Sequence, residues 1–127
     1  MAFAKDFREL IIWQRSHDLA LMVYRVTDTF PNSEQFGLTN QLRRAAVSVG
    51  SNIAEGFERN SAKDFAHFLV ISRGSLAEIA SQIMLARDLR YVTPEDCEKI
   101  LEEIKDIHKM LNAFKKTLNE KGPVRTR

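Results

Sequence analysis

The chain has 127 residues, enough for one ordinary domain, and 44% of them are apolar against 28% charged. This balance excludes an intrinsically disordered chain, and only five glycines and three prolines argue against a turn-rich β-sandwich. The formal net charge is +2. Residues 121–127 carry three cations (Lys121, Arg125 and Arg127) and no acid, so the rest of the chain is at −1 and is not a basic domain.

Three features bear on location and partners. No 18 consecutive residues are apolar, so we expect no membrane-spanning helix and no membrane partner. Charged residues begin at Lys5, too early for a signal peptide. The single cysteine, Cys97, cannot form an internal disulfide, and we therefore expect a cytoplasmic protein.

The first predicted helix runs from about Ile12 to Thr29, because apolar residues recur there at alternating steps of three and four. Pro31 ends it, since the residue before a proline avoids helical angles. The second predicted helix begins with Thr39 as its N-cap. Gly50 in its interior indicates either the close approach of a neighbouring helix or a kink.

The third predicted helix begins with Ser61 as N-cap and ends near Arg90, which makes it the longest or second longest. In the fourth, Thr93 is the N-cap, Pro94 takes the first helical position, and Gly122-Pro123 ends the helix. Four amphipathic helices with short loops predict an all-α, antiparallel up-down-up-down bundle. We assign residues 1–120 to this bundle and 121–127 to a basic C-terminal tail.

Catalytic and metal-binding patterns are scarce. The one acid-x-x-His pair, Asp64 and His67, falls short of the two pairs that a di-iron bundle needs. Cys97 lies on an apolar seam, where cysteine is usually a small core residue. No nucleophile elbow or phosphate-cradling loop occurs. We predict a protein that is not an enzyme and has no metal or cofactor.

The middles of the second and third helices are unusually polar for helix interiors. A solvated face, a buried polar network or subunit interface, and a binding surface all remain open as explanations. If the two helices form a hairpin, Arg43 faces Glu78, and we predict that they pair. The candidate network residues are Arg43, Ser51, Asn52, Glu55, Arg73 and Glu78.

Basic residues collect near helix ends. An antiparallel bundle brings Arg43, Arg44, Arg87 and Arg90 to one end, and Arg59, Lys63, Lys115 and Lys116 to the other. These eight are candidates for contacts with nucleic acid. The alternative is ordinary compensation of the helix dipole by cations at C-terminal turns.

More large apolar residues are present than one bundle core can bury. The surplus predicts an exposed patch that joins subunits in a homo-oligomer. Its members are Trp13, Leu21, Met22 and Tyr24 in the first helix and Phe68, Ile71 and Leu85 in the third.

Three blocks of the sequence resemble a known family. Ile12-Trp13-Gln14 with His17, Leu19 and Tyr24 forms the first block; residues 37–56, GLTNQLRRAAVSVGSNIAEG, form the second; residues 73–78, RGSLAE, form the third. Together they resemble bacterial four-helix-bundle proteins first noticed as reading frames inside intervening sequences of large-subunit (23S) ribosomal RNA genes. The similarity covers roughly residues 7–118.

The resemblance implies an up-down four-helix bundle and a ring-like homopentamer. A more distant branch is similar to the accessory variability protein of diversity-generating retroelements, which implies RNA or DNA and a reverse transcriptase or other protein as possible partner classes. It supplies no catalytic residues.

Two functions follow as hypotheses. The first is a non-enzymatic oligomeric module that contacts RNA or a ribonucleoprotein through basic patches. The second is a protein–protein scaffold or adaptor with no affinity for nucleic acid. A third, an enzyme, would need convergent titratable groups that the sequence does not offer.

Overall fold

The computed structural model describes residues 4–121. A 3-10 turn at Phe7–Glu9 precedes helix α1 (Ile11–Thr27), and a second 3-10 turn at Asn32–Glu34 leads into α2 (Leu38–Phe57). Helices α3 (Ala62–Asp88) and α4 (Pro94–Lys121) complete the described chain. With 27 and 28 residues, α3 and α4 are the longest, as predicted. The predicted tail lies outside the described residues, apart from Lys121.

The four helices form a bundle in which each packs against the next and α4 returns to α1. The diagonal pairs α1–α3 and α2–α4 do not meet within the described residues. Side chains show that α2 and α3 run antiparallel: Ser72 Oγ donates to the Val49 carbonyl at 2.8 Å, and Gln82 Nε2 donates to Gln41 Oε1 at 3.4 Å. The predicted four-helix architecture is thus confirmed.

The core is built from the apolar seams that the periodicity predicts. Each fully buried leucine, isoleucine or phenylalanine contributes about 1.5–3 kcal/mol relative to an exposed position. The largest of these side chains are Leu19, Leu42, Ile53, Phe57, Leu69, Leu76, Ile79, Ile83, Ile100, Ile107, Leu111 and Leu118.

Two of the three predicted N-caps are confirmed. Ser61 Oγ accepts the Asp64 N–H and Thr93 Oγ1 accepts the Asp96 N–H, both at 3.1 Å. Thr39 as the cap of α2 is wrong, because that helix begins one residue earlier, at Leu38. There the Glu34 carboxylate from the preceding 3-10 turn accepts the Leu38 N–H at 3.0 Å, which supplies the missing partner.

A cluster of charged side chains joins α1 to α4. Arg15 donates to both carboxylate oxygens of Glu103, at 2.6 and 3.1 Å, and to Asp106 at 3.2 Å. The hydrogen bond to Glu103 raises the pKa of Arg15 further above its ordinary value. Such a two-pronged pair fixes orientation as well as distance, so it sets the register of these two helices.

Candidate interaction surfaces

An apolar groove of about 510 Å³ runs between α1 and α2. Gly50 lies in it: a Cβ built there would lie 3.5 Å from the Trp13 indole nitrogen, an ordinary packing distance, so helix α1 packs over this residue without requiring glycine. Trp13 stacks on His17, with ring centroids 4.9 Å apart. We call this surface the α1–α2 groove; it is lined by Phe7, Trp13, Ser16, His17, Ala20, Leu21, Tyr24, Ala46, Val47, Gly50, Ser51 and Ala54.

The outward face of α3 is the second apolar surface. Ile71 is 39% exposed and Leu85 51%, and a Cβ added to Gly74 between them would have no neighbouring atom within 4 Å. A glycine in a helix interior costs about 1 kcal/mol relative to alanine, and no contact within the described residues offsets it. We call this face the α3 ridge; it comprises Val70, Ile71, Gly74, Ala77, Ser81, Met84 and Leu85, and the exposed Glu78 lies between Ile71 and Leu85 on the same side of the helix.

The apolar character of α3 exceeds what the bundle uses. By length and composition it is the one described helix that could cross a membrane, with a mean hydropathy of 1.3, although only 33% of that window is buried. The core helix of a bundle passes the same test. What distinguishes α3 from an ordinary core helix is the set of apolar side chains that stay exposed, not its buried seam.

Arg43 does not form the predicted pair with Glu78. Its Nε donates to Thr27 Oγ1 at 2.8 Å, and its guanidinium lies 4.6 Å from the Tyr24 ring centroid. The two residues are at similar levels of the hairpin, but Arg43 points from α2 towards α1 and Glu78 lies on the α3 side. Arg43 is therefore a link between α1 and α2.

The other candidate basic residues divide into two groups. Arg59 pairs with Glu55 at 3.1 Å and lies over the Phe68 ring, while Arg87 pairs with Asp88 at 3.0 Å. The remaining ones have no acidic partner within 4.0 Å among the described residues. These are Arg44, Lys63, Arg90, Lys115 and Lys116.

Arg90 adopts an unusual backbone. Its φ of 66° lies in the left-handed region, where a non-glycine residue costs about 1–2 kcal/mol. The conformation ends α3: the Tyr91 N–H returns to the Ala86 carbonyl at 2.8 Å, the pattern in which glycine is normally found. The sequence places a charged, exposed arginine at this position instead.

Basic residues that sequence reasoning missed lie at the same end of the bundle. Arg25 in the last turn of α1 and Lys99 in α4 line a cleft of about 480 Å³, together with Thr29 and Asp96. The signal was available, because an antiparallel bundle puts the end of α1 beside the start of α4.

The predicted polar network is not one network. Asn52 donates to the Ser48 carbonyl at 2.8 Å, and the Ser75 hydroxyl donates to Ser48 Oγ at 2.9 Å, which links α2 to α3. The other candidates lie elsewhere: Arg73 donates to Asn112 of α4, Glu55 pairs with Arg59 on the surface, and Ser51 lines the α1–α2 groove.

A polar cleft of about 450 Å³ opens above this serine pair, between α2 and α3. Arg44 and Glu78 both line it, yet no N···O distance between them is within 4.0 Å. Gln82 Oε1 is buried there without a hydrogen-bond partner among the described residues. Asn40 and Gln41 complete its rim.

Residues suited to metal binding do not converge in the part of the chain that the structure covers. Between residues 4 and 121, no three His, Cys, Asp or Glu side chains come close enough to hold a metal ion. Burial raises the pKa of the Cys97 thiol, whose sulfur lies 3.7 Å from the Ile83 carbonyl oxygen. A buried thiol with a raised pKa is a poor nucleophile.

These features define a four-helix bundle with two exposed apolar surfaces. Its two ends carry basic side chains, some of which are paired with carboxylates. The family described as "23S rRNA-intervening sequence protein" matches residues 8–113. The chain belongs to this family. The match spans all four helices, and it includes the blocks that line the α1–α2 groove and the polar cleft.

A solved structure has the same fold. It is a protein of unknown function from the S23 ribosomal protein family of Bacteroides thetaiotaomicron, 25% identical, with a TM-score of 0.77. The similarity covers 84% of this chain and all of that one. The comparison with curated proteins gives no match.

Proposed function

We propose that this protein is a non-enzymatic, self-associating binding module whose assembled form contacts RNA through basic side chains at the end where α1 and α3 finish. Its location would be cytoplasmic. The observation that carries self-association is the pair of exposed apolar surfaces, since clustered exposed apolar side chains mark contacts between proteins. Five of the seven surplus residues line these surfaces: Trp13, Leu21, Tyr24, Ile71 and Leu85.

Arg90 supports the RNA contact. A strained residue persists where its side chain is needed, and glycine would end α3 without strain. Arg44 and Arg90 lie towards the same end without acidic partners among the described residues. Repetition of this end around an oligomer would multiply weak phosphate contacts into useful affinity. The family name, which refers to an insertion in ribosomal RNA, fits the same proposal.

A protein–protein scaffold without nucleic-acid affinity is the second candidate. The ion pairs at Arg59 and Arg87 favour it, because they leave less positive charge for phosphates. An oligomer that binds no RNA would leave a protein partner as the favoured class.

The test measures mass and binding to a structured RNA on the same sample across a salt series. We expect an oligomer whose RNA affinity falls steeply as salt rises. Arg90→Gly should weaken binding and reduce the salt slope by about one per subunit that contacts a phosphate. The same change should stabilise the fold by about 1 kcal/mol, because it relieves the left-handed strain, so weaker binding cannot come from unfolding.

Lys105→Ala, an exposed cation in the middle of α4, is the matched control and should leave binding unchanged. An oligomer with no RNA affinity at low salt would favour the scaffold. A monomer at micromolar concentration would remove self-association from the proposal.

A further inference from the structure

We infer that the polar cleft between α2 and α3 holds the base of an unpaired guanine in a bound RNA. The assignment rests on the proposed contact with RNA and goes further by naming the site, the base and the two side chains that read it. The cleft is lined by the first half of α2 and the second half of α3, so it lies towards the same end of the bundle as Arg90.

The polar groups of this cleft do not satisfy one another. Arg44 on α2 and Glu78 on α3 both line it, yet no N···O distance between them is within 4.0 Å. Neither side chain has a hydrogen-bond or ion-pair partner among the described residues. Gln82 Oε1 is buried in the same cleft without a partner there. A buried acceptor costs stability unless a water or a ligand donates to it.

The size and lining of the cleft favour a small polar ligand. Its volume of about 450 Å³ lies within the range of about 300–1,000 Å³ that small-ligand sites occupy. The described residues that line it are all polar or charged except Ala45. A ligand held there must therefore form hydrogen bonds on several sides, as the edges of a nucleobase do.

Glu78 decides which part of an RNA enters. A carboxylate repels phosphate oxygens, so the group beside it must present N–H donors. Guanine is the one standard base with two donors side by side on its Watson–Crick edge, N1–H and N2–H, and these match the two oxygens of a carboxylate. The second hydrogen of the same amino group gives Gln82 Oε1 the donor that it lacks.

Arg44 suits the neighbouring edge of the same base. Guanine O6 and N7 are adjacent acceptors, and the arginine fork donates to both in the commonest specific base contact. A guanine between the two helices would thus bridge the gap that separates Arg44 from Glu78. The base must be unpaired, because pairing would occupy the edge that faces the carboxylate.

Fluorescence anisotropy with labelled single-stranded RNA tests this assignment. The probes are an oligouridine with one central guanine and the same oligomer with adenine or inosine in its place. At fixed low salt, wild type should bind the guanine probe about tenfold more tightly than the adenine probe. Inosine lacks the amino group and should give an intermediate affinity.

Glu78→Gln keeps the shape of the side chain but removes one acceptor oxygen. This variant should bind the guanine and inosine probes equally, whereas its affinity for plain oligouridine should stay constant or rise because a negative charge is lost. An effect of charge alone would have the opposite sign. Glu58→Gln makes the same change at an exposed carboxylate just beyond the other end of α2, and it should retain the guanine preference.

Arg44→Lys separates base reading from phosphate attraction. Lysine keeps the positive charge but lacks the two-pronged fork, so the guanine preference should fall while the affinity for oligouridine changes little. Circular dichroism and mass are measured for every variant. Since Glu78 also borders the α3 ridge, a change in the mass of Glu78→Gln would assign this residue to assembly and overturn its role as a base reader.

The remaining outcomes separate this assignment from the proposed function. Equal affinity of wild type for all the probes would overturn the guanine site and leave the contact with RNA in place. No affinity for any probe at low salt would remove both. Guanosine monophosphate should compete poorly, because it lacks the neighbouring phosphates that reach the basic end. Competition at the concentration of the oligomer would make a free nucleotide the source of the base and overturn RNA as that source.

Discussion

At the residue scale, the side chains that decide local structure often come from outside the element they stabilise. Glu34 caps α2 from the preceding turn and also accepts the Tyr91 hydroxyl at 3.3 Å. In the first 3-10 turn the two carboxylates act reciprocally: Asp6, just before the turn, accepts the Arg8 N–H, and Glu9, inside it, accepts the N–H groups of Lys5 and Asp6. Both arrangements place a carboxylate where unpaired N–H groups begin a helical turn.

Asp6 gives a pH-dependent prediction. Hydrogen bonds from the Arg8 side chain, at 2.7 and 2.9 Å, lower the pKa of Asp6 from 3.8 to about 2. Because the folded pKa is depressed, this cap stabilises the turn above about pH 4 and is lost as pH falls through about 2. Carboxyl NMR titration should find that low midpoint, and Arg8→Ala should move it towards 3.8. An unchanged midpoint in Arg8→Ala would contradict the assignment.

How far the sequence predicts such details depends on distance along the chain. Ser61 and Thr93 were predictable as caps because the side chain and the N–H it accepts are three residues apart. Glu34 was not, since its role depends on the fold of the intervening turn. For Arg43 the sequence predicts the correct level along α2 but the wrong neighbour, α3 instead of α1. Periodicity locates the centre of a buried helix face and does not tell which neighbouring helix lies on each side of it.

At the element scale, the crossing of α2 and α3 depends on a glycine. A Cβ at Gly56 would lie 2.8 Å from both Phe65 Cδ1 and Phe68 Cβ, closer than packed carbon atoms approach. We expect Gly56→Ala to destabilise the bundle by about 1–3 kcal/mol, since the overpacking outweighs the gain in helix propensity. Urea unfolding measures this change in the free energy of unfolding.

Gly74→Ala is the matched control for Gly56→Ala, because it makes the same change in open space. At low protein concentration it should stabilise the chain by about 1 kcal/mol through helix propensity alone. Equal effects at the two positions would show that the close approach at Gly56 does not limit packing.

Helix α3 also illustrates what its sequence does and does not predict. The seam of Leu69, Leu76, Ile79 and Ile83 predicted the buried face, and the surplus at Ile71 and Leu85 predicted that apolar side chains stay exposed. The α1–α2 groove was not predictable. It depends on how α1 and α2 pack around Gly50, which only the assembled bundle determines.

At the scale of the whole molecule, association and stability should be coupled. If assembly requires the folded chain, then any rise in protein concentration favours the native state by mass action. The thermal midpoint should therefore rise by several degrees between about 1 and 100 µM for a chain of this length. Leu85→Arg should show a constant midpoint, because it places a charge on the exposed α3 ridge that the proposed self-association uses and leaves the core intact.

Cys97 provides an independent probe of the same coupling. The residue is 1% exposed and burial raises the pKa of its thiol, so a thiol reagent reaches it only when the bundle opens. Its labelling rate in wild type should fall as concentration rises, and the rate in Leu85→Arg should not change. A wild-type rate that is independent of concentration, with a constant thermal midpoint, would mean that association does not stabilise this fold.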